Sequence, residues 1–117
     1  MSQKPSRFGL LFSTAAEPAQ ETPWRPRADV YRTRDGWLLK FELAGVALDD
    51  VAVSAQGSAI TVSGVRRDRI VEESCWHYSM EISYSRFERT VHLPCTLDSA
   101  RLSVDYENGI LWVRVHL

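Results

Sequence analysis

The sequence contains no long hydrophobic run and little cysteine. No apolar stretch approaches the roughly 20 residues of a membrane-spanning helix. Two cysteines, Cys75 and Cys95, are too few for a disulfide framework in 117 residues, and we expect both to be reduced. The apolar cluster at residues 8–12 follows Lys4 and Arg7, as in a signal peptide, but it is too short to be one. We therefore expect a cytoplasmic protein that does not enter a membrane.

The sequence also lacks a strong charge and the motifs of catalysis. Fourteen Lys and Arg residues nearly balance fifteen Asp and Glu residues, so the net charge of −1 does not indicate a nucleic-acid partner. No nucleophile motif, phosphate loop or paired-cysteine metal motif is present. The best candidates for metal ligands in the sequence are Cys75, His77, His92, Cys95 and His116. They lack the regular four-ligand spacing of a structural zinc site, so we interpret them as ordinary strand residues. We expect neither an enzyme nor a cofactor.

Helical periodicity is missing as well, whereas alternation at period two is common. Asn108-Gly109 lies between two alternating runs, and this dipeptide is the strongest short-range signal for a β-hairpin because both residues tolerate positive φ. The inward positions are Leu102, Val104 and Tyr106 before the turn, and Leu111, Val113 and Val115 after it. Trp112 alternates with them, so it must find cover or remain half exposed.

Similar short runs fill the chain from Trp24 onward. Their number and spacing predict an all-β protein, a sandwich of seven to nine short antiparallel strands. We divide the chain into a flexible N-terminal arm, residues 1–23, and one domain, residues 24–117. The arm carries Phe8, Leu10, Leu11 and Phe12. It is either a tail without consequence or a segment that docks on a partner subunit or an unfolded protein.

The polar stretch at residues 65–86 is long for a connection in a compact domain. Trp76, Tyr78 and Met80 are too apolar for a purely solvated loop, so we predict a short strand there. The basic run at residues 66–69 is either a solvated strand end or a set of charges that pair across a subunit boundary. Arg89, in the next strand, either meets a carboxylate at an interface or faces outward.

Several of these segments together resemble the alpha-crystallin domain of small heat-shock proteins. The similar segments, in order, are Trp24-Arg25-Pro26, Glu42-Leu43-Ala44-Gly45-Val46 with Asp49-Asp50-Val51, Ile60-Thr61-Val62-Ser63-Gly64, Phe87-Glu88-Arg89, Leu93-Pro94 and Glu107-Asn108-Gly109-Ile110-Leu111. The resemblance covers about residues 24–116, and its specificity comes from the order and spacing of motifs that are individually weak.

The resemblance implies an immunoglobulin-like sandwich that forms a homodimer by strand exchange and binds unfolded client proteins without ATP. In the bacterial and plant type, the exchanged strand would lie at Trp76, His77 and Tyr78, and the interface arginine would be Arg89. The family's groove for a tail from another subunit would be lined by Val51, Val53, Ala55, Leu102, Val104 and Tyr106.

The chain departs from the family pattern at Leu117, where it stops without an Ile-x-Ile tail. The resemblance and this departure lead to three hypotheses for the function of the protein. The first is an ATP-independent chaperone (holdase) that forms a homodimer or a higher oligomer. The second is a tail-less dimeric adaptor that forms hetero-oligomers with a tail-bearing small heat-shock protein. The third is a free-standing interaction module. The co-chaperone branch of the same fold lacks the exchanged-strand loop and carries an acidic tail, and neither feature fits.

Overall fold

The computed structural model describes residues 23–70 and 72–117, which form two antiparallel β-sheets. The strands are β1 (Ala28–Arg32), β2 (Gly36–Glu42), β3 (Val51–Gln56), β4 (Ala59–Val65), β5 (Arg86–His92), β6 (Arg101–Glu107) and β7 (Ile110–His116). One sheet has the order β1-β2-β7-β6, and the other has the order β3-β4-β5. A 3₁₀ turn, Leu48–Asp50, directly precedes β3. The expected all-β sandwich of seven to nine strands is confirmed.

The core lies between the two sheets and is built by the period-two pattern. Leu39 and Phe41 of β2 are fully buried, and so are Ile60 and Val62 of β4 from the opposite sheet. Within the described ranges, no charged or polar side chain is classed as buried. The fold therefore depends on apolar burial, at about 25 cal/mol per Å² of apolar surface removed from water.

The hairpin between β6 and β7 forms where Asn108-Gly109 predicts it. Asn108 has φ 54° and Gly109 has φ 80°, the pair of positive angles that a type I′ turn requires. This turn pairs Val104 with Val113 and Tyr106 with Leu111. The register follows from the turn, because a slip of one residue would turn every side chain to the other face.

The first residues of the domain close one side of the sandwich. Trp24 forms a parallel bridge with Phe87, through hydrogen bonds from Trp24 N to Arg86 O and from Glu88 N to Trp24 O. The chain then continues through buried Pro26 directly into β1. Strands β5 and β1, the outer strands of the two sheets, consequently lie on the same side. The opposite edges, β3 and β6, must share the other side.

The short strand predicted at Trp76, Tyr78 and Met80 is absent from the structure of the single chain. Residues 66–70 and 72–85, the described parts of the connecting loop, contain turns and bends but no strand. Trp76 is 84% exposed and Tyr78 is fully exposed. A strand needs a neighbouring strand for its backbone hydrogen bonds, and residues 23–70 and 72–117 of the single chain offer this segment none.

Gly64 occupies a position in β4 where the backbone of another segment approaches closely. A Cβ atom there would lie 2.0 Å from the carbonyl oxygen of Asp50 and 2.8 Å from Cζ of Phe87. We therefore expect Gly64→Ala to lower the free energy of unfolding by about 1–3 kcal/mol, the usual cost of overpacking. Urea unfolding at fixed protein concentration measures the change. Ser63→Ala, one position away, is the control and should stay near wild type; equal stability of the two variants would contradict the close approach.

Candidate functional site

The side of the sandwich opposite Trp24 is open, and apolar residues line it. Among the residues that the structure describes, β3 and β6 each have a neighbouring strand on one side only, so both leave backbone groups unpaired along the outer edge. Six side chains lie on the inner faces of these two edge strands and form what we call the open seam; they are Val51, Val53, Ala55, Leu102, Val104 and Tyr106. These are the six residues predicted for the groove.

The seam is where the core reaches the surface. Val53 is half-buried opposite fully buried Val62, and Leu102 is half-buried opposite buried Val115. Val104 remains 39% exposed and Ala55 is exposed. An apolar strip bordered by two unpaired strand edges can accept an extended apolar segment, which would pair with an edge and place alternate side chains in the seam.

Tyr106 closes one end of the seam. Its hydroxyl group donates a hydrogen bond of 2.7 Å to the carbonyl oxygen of Leu43, the buried residue that follows β2. This bond connects the edge strand β6 to the turn at residues 43–46. The phenol ring is therefore held in a fixed position at the seam.

Replacing this tyrosine tests how firmly the end of the seam is held. We expect Tyr106→Phe to lower the free energy of unfolding by about 0.5–1.5 kcal/mol, because the hydroxyl bond is lost while the ring stays. The urea midpoint measures this. Tyr31→Phe is the matched control, since Tyr31 is 45% exposed on β1; a midpoint shift no larger for Tyr106→Phe than for Tyr31→Phe would contradict the role of the bond.

The residues predicted for the dimer surface lie in two places. Trp76, His77 and Tyr78 lie in the connecting loop, whose own residues line an open pocket of about 480 Å³. Nε2 of His77 lies 3.6 Å from a carboxylate oxygen of Asp68; the imidazole is largely exposed and the Asp68 side chain is partly buried. Arg89 lies apart from them, in the middle of β5.

Arg89 does not face outward. It pairs with Val62 across the β4–β5 ladder and so shares the inner face with Phe87 and Val91. Its Nη1 donates a hydrogen bond of 3.0 Å to the carbonyl oxygen of Pro26. Its Nε is buried without an acceptor among the residues that the structure describes. A buried donor without an acceptor costs free energy, so a rearrangement that brings an acceptor to this guanidinium would be favourable.

The remaining sequence predictions have different outcomes. Phe8, Leu10, Leu11 and Phe12 lie outside the described residues. Trp112 is half exposed on the outer sheet face, with Nζ of Lys40 5.2 Å from its ring centroid. Over the described ranges, no three His, Cys, Asp or Glu side chains come together as metal ligands. In the same ranges, no helix has the length and apolar character needed to cross a membrane.

Sequence reasoning missed the role of the basic run. Both arginines at its start bind groups of their own chain, which neither alternative anticipated. Arg67 forms a two-point contact with Asp50, with nitrogen–oxygen distances of 3.1 and 3.4 Å. Arg66 is half-buried and contacts the carbonyl oxygens of Ala44 and Ser83. No local pattern announces these contacts, because their acceptors lie 17 to 22 positions away.

Comparison with known proteins identifies the family. The model of the Hsp20/alpha crystallin family matches residues 29–117. The chain belongs to this family. Its members are small heat shock proteins, which are generally chaperone-like. The resemblance seen in the sequence is thereby confirmed, and so is the immunoglobulin-like sandwich that it implied.

Individual relatives agree with this assignment. Small heat shock protein C2 of Rickettsia felis is 27% identical over 92% of this chain and 70% of its own length. Spore protein SP21 of Stigmatella aurantiaca is 34% identical over 74% of this chain, which spans about half (51%) of that relative. The solved structure of heat shock protein 16.0 from Schizosaccharomyces pombe superposes with a TM-score of 0.70 at 26% identity, covering 82% of this chain and 87% of that one.

Proposed function

We propose that this protein is an ATP-independent holdase that captures exposed apolar segments of unfolding proteins in the open seam. The observation that carries the proposal is the pair of edge strands β3 and β6, whose inner-face apolar residues remain partly exposed. Membership of a chaperone-like family supports it. No residue of the seam is charged, so recognition would depend on apolar burial and strand pairing, and any unfolded chain supplies both.

Placing a charge in the seam tests this function. We expect Val104→Asp to reduce the suppression of client aggregation at least severalfold, because a client side chain would have to desolvate the carboxylate. Light scattering of a heat-sensitive client, without nucleotide and over a series of protein concentrations, measures the effect. Ser103→Asp is the matched control, since Ser103 is the adjacent, exposed residue on the outer face of β6. Equal suppression by the two variants would place client capture elsewhere.

We also propose that the protein forms a homodimer in which the connecting loop of one subunit pairs with the other. Two features support this: the aromatic side chains of Trp76 and Tyr78 are exposed, and Nε of Arg89 has no acceptor within the described chain. The segment at residues 76–78 would gain, along the edge of a partner's sheet, the ladder that the described part of its own chain does not provide. Arg89 would take its missing acceptor from the partner.

The dimer proposal predicts that the two loop aromatics hold the subunits together. The double variant Trp76→Ala/Tyr78→Ala should be monomeric at concentrations where the wild type is dimeric, because buried aromatic side chains dominate interface energies. Size exclusion with multi-angle scattering gives the mass. Glu73→Ala, an exposed substitution in the same loop, should leave the mass unchanged. A double variant that stays a tight dimer would exclude the loop as the exchanged element.

The same mass measurement separates the holdase from the adaptor function. The open seam can accept a segment of another small heat-shock protein as readily as a client. A dimer that forms larger species only when mixed with a tail-bearing family member, and that does not suppress client aggregation alone, would favour the adaptor. Suppression by the isolated protein would favour the holdase.

A further inference from the structure

Arg66 contacts three segments that are remote from one another in the sequence. Its guanidinium carbon lies 4.2 Å from the ring centroid of Trp24. Its Nε donates a hydrogen bond of 2.8 Å to the carbonyl oxygen of Ser83, near the end of the connecting loop. Its Nη1 donates a bond of 3.1 Å to the carbonyl oxygen of Ala44, in the turn after β2. One planar group thus binds the root of the N-terminal arm, the loop and the body of the sandwich.

The connecting loop and the arm root are each held by a backbone hydrogen bond, and the opening of each bond can be followed separately. The amide of Arg66 donates to the carbonyl oxygen of Ser85, which closes the base of the loop. The amide of Glu88 donates to the carbonyl oxygen of Trp24, which fixes the arm root on β5. The indole of Trp24 also packs on Phe87, with ring centroids 5.3 Å apart. The side chain of Arg66 lies between these two bonded regions and touches both.

We infer that Arg66 is a positioning residue that couples the arm root at Trp24 to the connecting loop. The same guanidinium stacks on the indole and bonds the loop, so withdrawing the indole removes one of the contacts that hold the guanidinium in place for Ser83. Conversely, a loop that pulls away from Arg66 weakens its stacking on Trp24. Coupling of this kind must act with equal strength in both directions.

The consequence for assembly rests on the proposed function. If Trp76 and Tyr78 form the dimer surface, a partner or client that displaces the arm root also loosens the loop that carries these residues. The coupling itself does not depend on that function, because it is a property of the isolated chain.

Amide hydrogen exchange followed by NMR tests the coupling in both directions. Trp24→Leu should speed exchange of the Arg66 amide about three- to tenfold, and Arg66→Gln should speed exchange of the Glu88 amide by a similar factor, as expected for loss of one cation–π contact. In the double variant, exchange at Glu88 should be no faster than the faster of the two single variants. Arg69→Gln removes the same charge from an exposed position in the same loop and should change neither amide.

A conservative variant separates coupling from a merely structural effect and remains informative if Arg66→Gln does not fold. Arg66→Lys keeps a cation that can reach Trp24 but cannot bond both Ser83 and Ala44 through a planar fork. Exchange of the Glu88 amide should therefore return towards wild type, while the amide at position 66 stays fast. The inference is overturned if each substitution affects only its own side, or if Arg69→Gln has the same effect. Coupled exchange without client binding would leave this inference intact and overturn the holdase.

Discussion

The backbone bridge between Trp24 and the edge of β5 is the constraint on which the rest of the structure depends. One sheet has four strands and the other has three, so the smaller sheet leaves part of the larger one uncovered. Trp24 supplies the missing width on one side, where its indole covers Phe87 and the chain passes through Pro26 into β1. Nothing in the described chain does the same beside β3 and β6. The sandwich is thus closed on one side and open on the other.

This asymmetry gives the two sides different chemistry. The closed side carries the cations: Arg66 stacks on Trp24, and Arg89 bonds to Pro26. Their donors satisfy carbonyl groups of segments that have no strand partner of their own. The seam on the open side is lined by short apolar side chains and the ring of Tyr106, which its hydroxyl bond holds in place. The surface proposed to capture varied apolar segments therefore lies opposite the surface proposed to meet a specific, hydrogen-bonded partner.

The sequence predicted what depends on near neighbours. Asn108-Gly109 determined its hairpin, and alternation assigned Leu111, Val113 and Val115 to the core, because strand period and turn geometry are local properties. The contacts of Arg66 could not be predicted, because three distant segments must come together before the side chain has any acceptor. The prediction of a strand at residues 76–80 was wrong for the single chain for a related reason. Apolar composition indicates burial, but it does not say whether the same chain supplies a neighbouring strand. The six seam residues were predicted from the family resemblance, which rests on the order and spacing of several short motifs. Strand periodicity alone would not have singled them out.

The closure at Trp24 also has a consequence for the order of folding. The β6–β7 hairpin joins residues that are adjacent in the sequence, whereas Arg89 and Pro26, which lie beside the bridge, are 63 positions apart. Contacts between distant residues require a larger loss of chain entropy before they form, so local hairpins assemble early and distant contacts late. By this argument the closed side assembles after the local β6–β7 hairpin. During that interval the nascent chain exposes apolar strand edges on both sides, so this domain is, briefly, a molecule of the kind that holdases capture.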